Sequence, residues 1–195
     1  MKHTSDDPKR TAILTAAMQV ISTYGYRKTS MEDIARAAGM SRPALYQHFA
    51  NKDAIYRACC EVLFLQKIKA LKDALSQDGP PSQLLTRAIT AEMGPLMKDI
   101  LSSPHGPEIM KMSQTVAQDI ISNGVAEVTA ILEGFFERHG ARDPDGMAMT
   151  FEAAKMGLHE SVPSYDVYIE RLETLARAFG ALIEAQAMSD SNKPN

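Results

Sequence analysis

The chain has 195 residues, 45% of them apolar and 6% aromatic, and a formal net charge of −3. This length accommodates one or two small domains with a buried core. The longest uninterrupted apolar run, residues 62–65, is too short to span a bilayer, and residues 1–10 contain no apolar signal core. The only cysteines, Cys59 and Cys60, are adjacent and cannot easily bond to each other. We therefore expect a cytoplasmic protein without a membrane span or a disulfide.

Charge is distributed unevenly along the chain. Residues 1–60 carry nine basic and five acidic side chains, a net charge of +4, whereas the remaining residues sum to −7. A basic N-terminal segment on an acidic body indicates that only the N-terminal segment approaches a polyanion such as DNA. Chance clustering of solvated charges would give the same pattern.

Apolar residues recur at helical spacing, and no long stretch alternates as a half-buried strand does. Four helix starts are recognisable early in the chain because a capping side chain precedes each apolar pattern. These caps are Asp7 before Pro8, Ser30, Ser41 and Asn51. Gly25 and Gly39 are expected to end the first two helices, and the fourth helix runs to about residue 75.

The rest of the chain is also predicted to be helical. Its clearest break is the Asp-Gly-Pro-Pro run at 78–81. Helical patterns follow at about 82–93, 108–122, 124–139, 145–160 and 165–188, with Pro- and Gly-containing interruptions at 94–95 and 103–107. We therefore predict an all-α protein in which three N-terminal helices are joined by a long fourth helix to a helical C-terminal domain.

Residues 29–55 combine two short helices and a turn that contains glycine, which is the pattern of a helix-turn-helix. In such a unit, residues at the N-terminal end of the second helix reach base edges in the major groove. Arg42 can donate two hydrogen bonds to guanine, and Pro43 and Ala44 offer small apolar surfaces for a thymine methyl. Tyr46 follows one turn later with a hydroxyl for a phosphate. The sequence therefore predicts a DNA-reading helix that begins at residue 42.

Residues 8–68 resemble the DNA-binding domain of the TetR family of bacterial transcriptional regulators. The resemblance rests on an ordered series of short elements. They are Thr29, Ile34-Ala35, Ala38-Gly39-Met40-Ser41, Ala44-Leu45-Tyr46, His48-Phe49 and Asn51-Lys52-Asp53. It implies a DNA-binding domain at 8–68 and an effector-binding and dimerisation domain at 69–190.

The resemblance also implies which side chains contact DNA. The implied groove contacts are Arg42, Pro43, Ala44 and Tyr46. The implied phosphate contacts are Thr29, Ser41, His48 and Lys52. The helix N-termini at Ser30 and Ser41 present free N–H groups to phosphates as well. Two alternatives are open: His48 as a helix-end residue that hydrogen-bonds the backbone, and Tyr46 as a partly buried core residue.

Methionines are frequent in the C-terminal part of the chain. Because methionine is flexible and fills irregular apolar cavities, we predict a pocket for an apolar or amphipathic effector there. The candidate ligand-binding residues are Met93, Met97, Met110, Met156 and His159. Plain core packing of the methionines and local hydrogen bonding of the histidine are the alternatives.

A wide apolar stripe on the last helix is the candidate dimer surface. It consists of Ile169, Leu172, Leu175, Ala176, Phe179, Leu182 and Ile183. Together with the helix at 145–160 it predicts a two-fold four-helix interface, in which Gly180 and Ala181 allow close approach. Packing within one chain is the alternative, and the family resemblance implies a homodimer.

The family resemblance implies a homodimeric transcriptional regulator that binds a near-palindromic double-stranded DNA operator. It also implies a repressor that a small-molecule effector releases, and a DNA-binding regulator without an effector is the first alternative. An enzyme in the C-terminal domain is the second, but the sequence contains no GxSxG, HExxH, CxxC or phosphate-cradling glycine motif. We expect no enzymatic activity. We expect no cofactor and no metal site. Cys59 and Cys60 are poor candidates for a shared metal, because neighbouring helical residues point about 100° apart.

Overall fold

A computed structural model describes residues 7–160 and 164–191 of the chain. These residues form ten α-helices and no β-strand. The helices are α1 (Pro8–Tyr24), α2 (Met31–Ala37), α3 (Arg42–His48), α4 (Lys52–Leu75), α5 (Pro81–Glu92), α6 (Pro95–Ser102), α7 (Gly106–Val116), α8 (Gln118–Arg138), α9 (Pro144–Glu160) and α10 (Tyr165–Ser191). The all-α prediction is confirmed.

The four predicted caps start the first four helices. The Asp7 carboxylate accepts a hydrogen bond from the Lys9 N–H at 3.0 Å, and the Asn51 side chain accepts one from the Ala54 N–H at 2.8 Å. Ser30 and Asp33 form a reciprocal capping box at the start of α2. Each cap satisfies an N–H group that the helix itself leaves unpaired.

Two differences from the sequence prediction lie in the middle of the chain. Residues 95–102, which the sequence left between two interruptions, form α6 because Pro95 occupies the first position of the helix, where its missing N–H costs nothing. The break between α7 and α8 falls at Ala117, whose ψ of 29° ends α7, rather than near residue 123.

The described residues divide into two compact units. Unit 1 comprises the residues up to Phe64 together with Asp99–Ile121, and unit 2 comprises Leu65–Lys98 and the residues from Ser122 onward. The predicted domain boundary at residue 68/69 lies near the division at 64/65. The sequence did not indicate that residues 99–121 belong with the N-terminal helices.

The core of unit 1 is built from one apolar face of each N-terminal helix. Ile13, Ile21, Ile34, Leu45 and Ile55 are all completely buried. The short helices α2 and α3 are each only seven residues long and would not be stable alone, so the packing of α2 on α1 and of α3 on α2 is what holds them.

Within unit 1, polar contacts at several points join residues 99–121 to the N-terminal part of the chain. The Tyr56 hydroxyl donates to the Ile109 carbonyl at 2.6 Å, and the Arg27 N–H donates to the Glu108 carboxylate at 2.9 Å. The Arg57 guanidinium makes a two-pronged ion pair with Asp119, with N···O distances of 2.7 and 2.6 Å.

Unit 2 is centred on the packing of α10 along α5. The two helices approach so closely at Gly180 that a Cβ atom there would lie 2.2 Å from Ser82 Cα. The Glu184 carboxylate accepts hydrogen bonds from both the N–H and the hydroxyl of Ser82. Gly180 therefore permits close contact within the chain. The expectation that it serves the dimer interface is wrong, because α5 already covers it.

The core of unit 2 contains both aromatic and charged side chains. Phe135, Phe136 and Phe151 are fully buried and, with Phe179, form edge-on and tilted ring contacts. Glu92 and Lys155 are also buried, with exposed fractions of 4% and 6%. Within residues 7–160 and 164–191, none of the helices combines the length and apolar character needed to cross a membrane.

Candidate nucleic-acid interface

The α2–turn–α3 segment has the architecture of a helix-turn-helix. α2 ends at Ala37, and the chain reverses through Gly39, whose φ of +66° is a conformation that residues with a Cβ rarely adopt. α3 then begins at Arg42, with Leu45 buried on its inner face. The buried faces of the two helices fix α3, and its opposite face is left at the surface.

The exposed face of α3 carries Arg42, Pro43, Tyr46 and Gln47. The Arg42 guanidinium carbon lies 5.6 Å from the centroid of the Tyr46 ring, which is within the range of a cation–π contact. Hydrogen bonding to Tyr46 raises the pKa of Arg42, so the guanidinium stays charged. The tyrosine side chain is 43% exposed, which does not fit the alternative of a core residue.

The N-terminus of α3 is held by Ser41 and remains open to solvent. The Ser41 hydroxyl accepts a hydrogen bond from the Ala44 N–H at 3.3 Å, and Ser41 itself is exposed. Ser30 is likewise exposed at the start of α2. Both helix N-termini therefore have the positive end of their dipole at the surface, where an anion is favoured.

Thr29 and Lys52 are directed inward, unlike the other predicted phosphate contacts. Thr29 is 3% exposed, and its hydroxyl donates to the Gly25 carbonyl at 2.8 Å. The Lys52 ammonium donates to the carbonyls of Tyr26 and Thr29 at 2.6 and 2.7 Å and lies 4.3 Å from the centroid of the Tyr26 ring. Burial lowers the pKa of Lys52. Both side chains thus support the turn between α1 and α2.

His48 and Gln47 complete the face near the end of α3. His48 is half-buried, and its Nδ1 lies 4.0 Å from the Asp7 carboxylate. Gln47 is exposed beside Tyr46, and the sequence analysis did not single it out. The sequence could have indicated Gln47 through its place between Tyr46 and His48, since it avoids the buried positions Leu45 and Phe49.

Comparison with known proteins agrees with this geometry. Residues 13–59 match the family described as bacterial regulatory proteins, tetR family. That range contains α2, the Gly39 turn and α3 in full. Residues 13–59 therefore belong to a DNA-binding domain of the TetR family. The similarity that the sequence showed between residues 8 and 68 is therefore confirmed.

Curated relatives match this chain over different lengths. The HTH-type transcriptional regulator EthR of Mycolicibacterium smegmatis is 24% identical over 143 residues, which are 71% of this chain and 66% of that protein. The HTH-type transcriptional activator FasR of the same organism is 34% identical over 85 residues, 44% of this chain and 39% of that protein. The chain thus spans less than two thirds of the length of either relative.

Solved structures show the same fold over most of the chain. A transcriptional regulator from Rhodococcus sp. Rha1 superposes with a TM-score of 0.71, at 18% identity, covering 89% of this chain and 95% of that one. At this level of identity the likeness concerns the fold.

The predicted ligand-binding residues do not share one environment in this chain. Met93 and Met97 are buried in unit 2, with exposed fractions of 2% and 7%. Met110 belongs to unit 1, and Met156 is 54% exposed on α9. Met156 therefore does not line an enclosed pocket in the single chain, because α9 directs it outward. His159 lies outside the residues whose side chains the structure describes.

Proposed function

We propose that this protein is a DNA-binding transcriptional regulator that acts in the cytoplasm and reads double-stranded DNA with α3. The observation that carries the proposal is the exposed face of that helix, where Arg42, Pro43 and Tyr46 lie together at a capped and solvent-accessible N-terminus. This combination supplies donors for bases, an apolar edge for a methyl group and an anion-favouring helix end.

The proposed DNA contacts fall into two groups. Arg42, Pro43, Ala44 and Tyr46 read the groove, with Gln47 as an added candidate beside them. Ser30, Ser41 and His48 contact phosphates. Thr29 and Lys52 act indirectly, by holding the turn from which α2 starts, since both are committed to backbone carbonyls.

The regulator acts as a homodimer on a near-palindromic operator. The two copies of α3 then contact successive major grooves, about 34–36 Å apart. Exposed apolar side chains on α9 and α10 support a dimer surface there. These are Met149, Met156, Leu182 and Met188. They lie on the two helices for which the sequence predicted an interface.

We further propose that the regulator is a repressor and that an amphipathic effector bound in unit 2 releases it from DNA. A ligand achieves this only if it binds one conformation of the protein better than the other, and a coupling of about 1–3 kcal/mol changes DNA affinity roughly 5–150-fold. FasR is named a transcriptional activator, so the direction of regulation requires its own measurement.

Fluorescence anisotropy with DNA from upstream of the protein's own gene tests the proposal. We expect wild type to bind with an affinity that falls steeply as salt rises. Arg42→Ala should weaken binding about tenfold or more and relax selectivity at one base pair, because it removes a bidentate guanine contact. Tyr46→Ala should weaken binding as well.

Lys69→Ala is a charge-matched control for Arg42→Ala. Lys69 is an exposed cation of α4 in unit 2, paired with Asp73. If Lys69→Ala and Arg42→Ala weaken binding equally, only net charge matters and the assignment of α3 is wrong. A transcription assay with the same DNA then separates repression from activation, and failure of every candidate small molecule to change DNA affinity would favour the regulator without an effector.

A further inference from the structure

Four charged side chains from three helices meet inside unit 2. The Lys155 ammonium on α9 lies 2.9 Å from both carboxylate oxygens of Glu92 on α5 and 2.7 Å from Glu152 Oε1 on its own helix. The Lys67 ammonium on α4 lies 3.1 Å from the same Glu92 carboxylate. We call Lys67, Glu92, Glu152 and Lys155 the buried charge cluster.

The buried charge cluster is almost completely removed from water. The side chains of Glu92, Glu152 and Lys155 are 2%, 8% and 8% exposed, and that of Lys67 is 13% exposed. Taking such ions out of water is costly, and apolar residues of similar volume often stabilise a fold equally well. Stability alone therefore gives no reason to keep four charges in this position.

The two carboxylates of the buried charge cluster are not equally satisfied. Both carboxylate oxygens of Glu92 accept hydrogen bonds from Lys155, and Lys67 adds an ion pair. These two cations lower the pKa of Glu92 to about 2 despite its burial. Glu152 is different. Its Oε1 is close to Lys155 without the geometry of a hydrogen bond, and no group among the described residues donates a hydrogen bond to this oxygen.

Burial raises the pKa of Glu152, so the environment penalises its negative charge. A buried acceptor without a donor is costly, and native proteins provide a partner for nearly every such group. Lys155 compensates part of the charge of Glu152, but Oε1 still lacks a hydrogen-bond donor, and a charged donor makes the stronger bond.

We propose that Glu152 is a ligand-binding residue and that it receives the protonated amine of an amphipathic small molecule. This inference rests on the proposed function, since it gives the effector of that regulator a chemical class. The apolar part of the ligand would lie against Met149 and Met156 at the proposed dimer surface, which precede and follow Glu152 on α9 by three and four residues and so share its side of the helix.

A carboxylate ligand is disfavoured by the same geometry. Lys155 already faces two carboxylates and Lys67 is paired with Glu92, so an anion would have to displace one of these partners. It would also approach Glu92 and Glu152, two groups of its own charge. An amine would also approach the like charges of Lys155 and Lys67, but it meets an acceptor that has no hydrogen bond and it displaces no ion pair.

Thermal unfolding of the full chain with three probes of equal chain length tests the inference. The probes are octylamine, octanoate and octanol, each below the concentration at which it aggregates. We expect octylamine to raise the Tm by several degrees once it is well above its Kd, and octanoate and octanol to have little effect. Because this comparison uses wild type alone, it does not depend on any variant folding.

Two variants then locate the site. Glu152→Gln keeps the shape of the side chain but replaces the anionic acceptor with a neutral amide, so we expect octylamine affinity measured by calorimetry to fall at least tenfold. Glu127→Gln is the matched control, because Glu127 is an exposed carboxylate of unit 2 paired with Lys72. It should bind octylamine as wild type does.

Several outcomes would overturn the inference. Equal shifts from all three probes would mean unselective apolar binding, and a shift from octanoate alone would mean that the lysines are the binding groups. No shift at all would mean that an ordered water satisfies Glu152. Operator binding without any probe is measured separately. If the protein binds DNA but not octylamine, the inference about Glu152 fails and the proposed DNA-binding function stands. If it binds octylamine but not DNA, only the proposed DNA-binding function is overturned.

Discussion

The two units of the molecule use charged and polar side chains in different ways. In unit 1 such groups cap the starts of helices or join segments, and their partners are mostly backbone atoms: Ser41 caps α3, and Lys52 binds the carbonyls of Tyr26 and Thr29. In unit 2, Glu92 and Lys155 have each other as partners, deep in the core. Polar groups in unit 1 therefore position helices and turns, whereas the core of unit 2 contains charged side chains that neutralise one another.

This difference predicts unequal responses to mutation. A lost cap or backbone contact leaves groups that water can reach and solvate. A lost member of the buried charge cluster leaves an unpaired ion in the core, which is far more costly than the pair itself is favourable. The following substitutions test the contrast, beginning with the largest expected effect.

Glu92→Gln should destabilise the protein by about 3–5 kcal/mol, because it leaves Lys155 buried with only the incomplete contact to Glu152. Equilibrium urea unfolding of the purified chain measures this. The exposed carboxylate variant Glu127→Gln should cost at most about 1 kcal/mol. If the two variants lose the same stability, the buried charge cluster is no more important than a surface ion pair.

The same pairing predicts a pH dependence. The pKa of Glu92 is lowered from 4.5 to about 2, so the folded state holds the ionised form more strongly than the unfolded state does. The stability that Glu92 contributes is therefore complete above about pH 4.5 and is lost as pH falls towards 2. Glu92→Gln should flatten this part of a stability profile measured from pH 6 to pH 2.

Lys52→Met should reduce stability by about 1.5–3 kcal/mol and weaken DNA binding, because two charge-assisted hydrogen bonds to the turn are lost. The dependence of log K on log salt, measured by anisotropy, separates the two roles of this residue. A positioning residue leaves that slope unchanged, whereas the loss of a phosphate contact reduces its magnitude by about one. A reduced slope would restore Lys52 to the phosphate contacts that the sequence implied.

Gly180→Ala should cost about 1–3 kcal/mol, because its methyl group would lie 2.2 Å from Ser82 Cα and force α10 away from α5. Gly134→Ala on α8 is the control, since its nearest neighbour is the end of the Arg138 side chain at 3.5 Å. That variant should be neutral or gain up to about 1 kcal/mol from helix propensity. Urea unfolding compares the two, and an equal result would mean that α5 and α10 separate without cost.

The sequence predicted those contacts whose two residues lie close together along the chain. The caps and the helix-turn-helix were predictable because Ser30 and Asp33, or Ser41 and the Ala44 N–H, are three residues apart and leave a local pattern. Of the proposed contacts, Arg42, Pro43 and Tyr46 could be recognised in the same way, from their place just after a cap.

Long-range partners left no such pattern. Glu92 and Lys155 are 63 positions apart, and Glu152 with Lys155 has the spacing of an ordinary surface pair on a helix. Gly180 read as an interface residue because nothing local showed that Ser82 would cover it. Lys52 sits at a position where the family resemblance implies a phosphate contact, and only the folded turn shows that carbonyls surround its ammonium.

The smallest expected effect distinguishes the two short helices of unit 1. Ser30 belongs to a reciprocal capping box, whereas Ser41 makes one capping bond of 3.3 Å. Replacing either by alanine removes a cap worth about 1 kcal/mol, and Ser30→Ala should cost more because the Asp33 carboxylate also loses a donor.

Urea unfolding measures the loss of stability, and anisotropy measures DNA binding. Because α3 is the proposed DNA-reading helix, Ser41→Ala should lower DNA affinity more than Ser30→Ala does, although it lowers stability less. If the two measurements rank the variants in the same order, the caps act on DNA binding only through stability, and the N-terminus of α3 has no separate role in contacting phosphate.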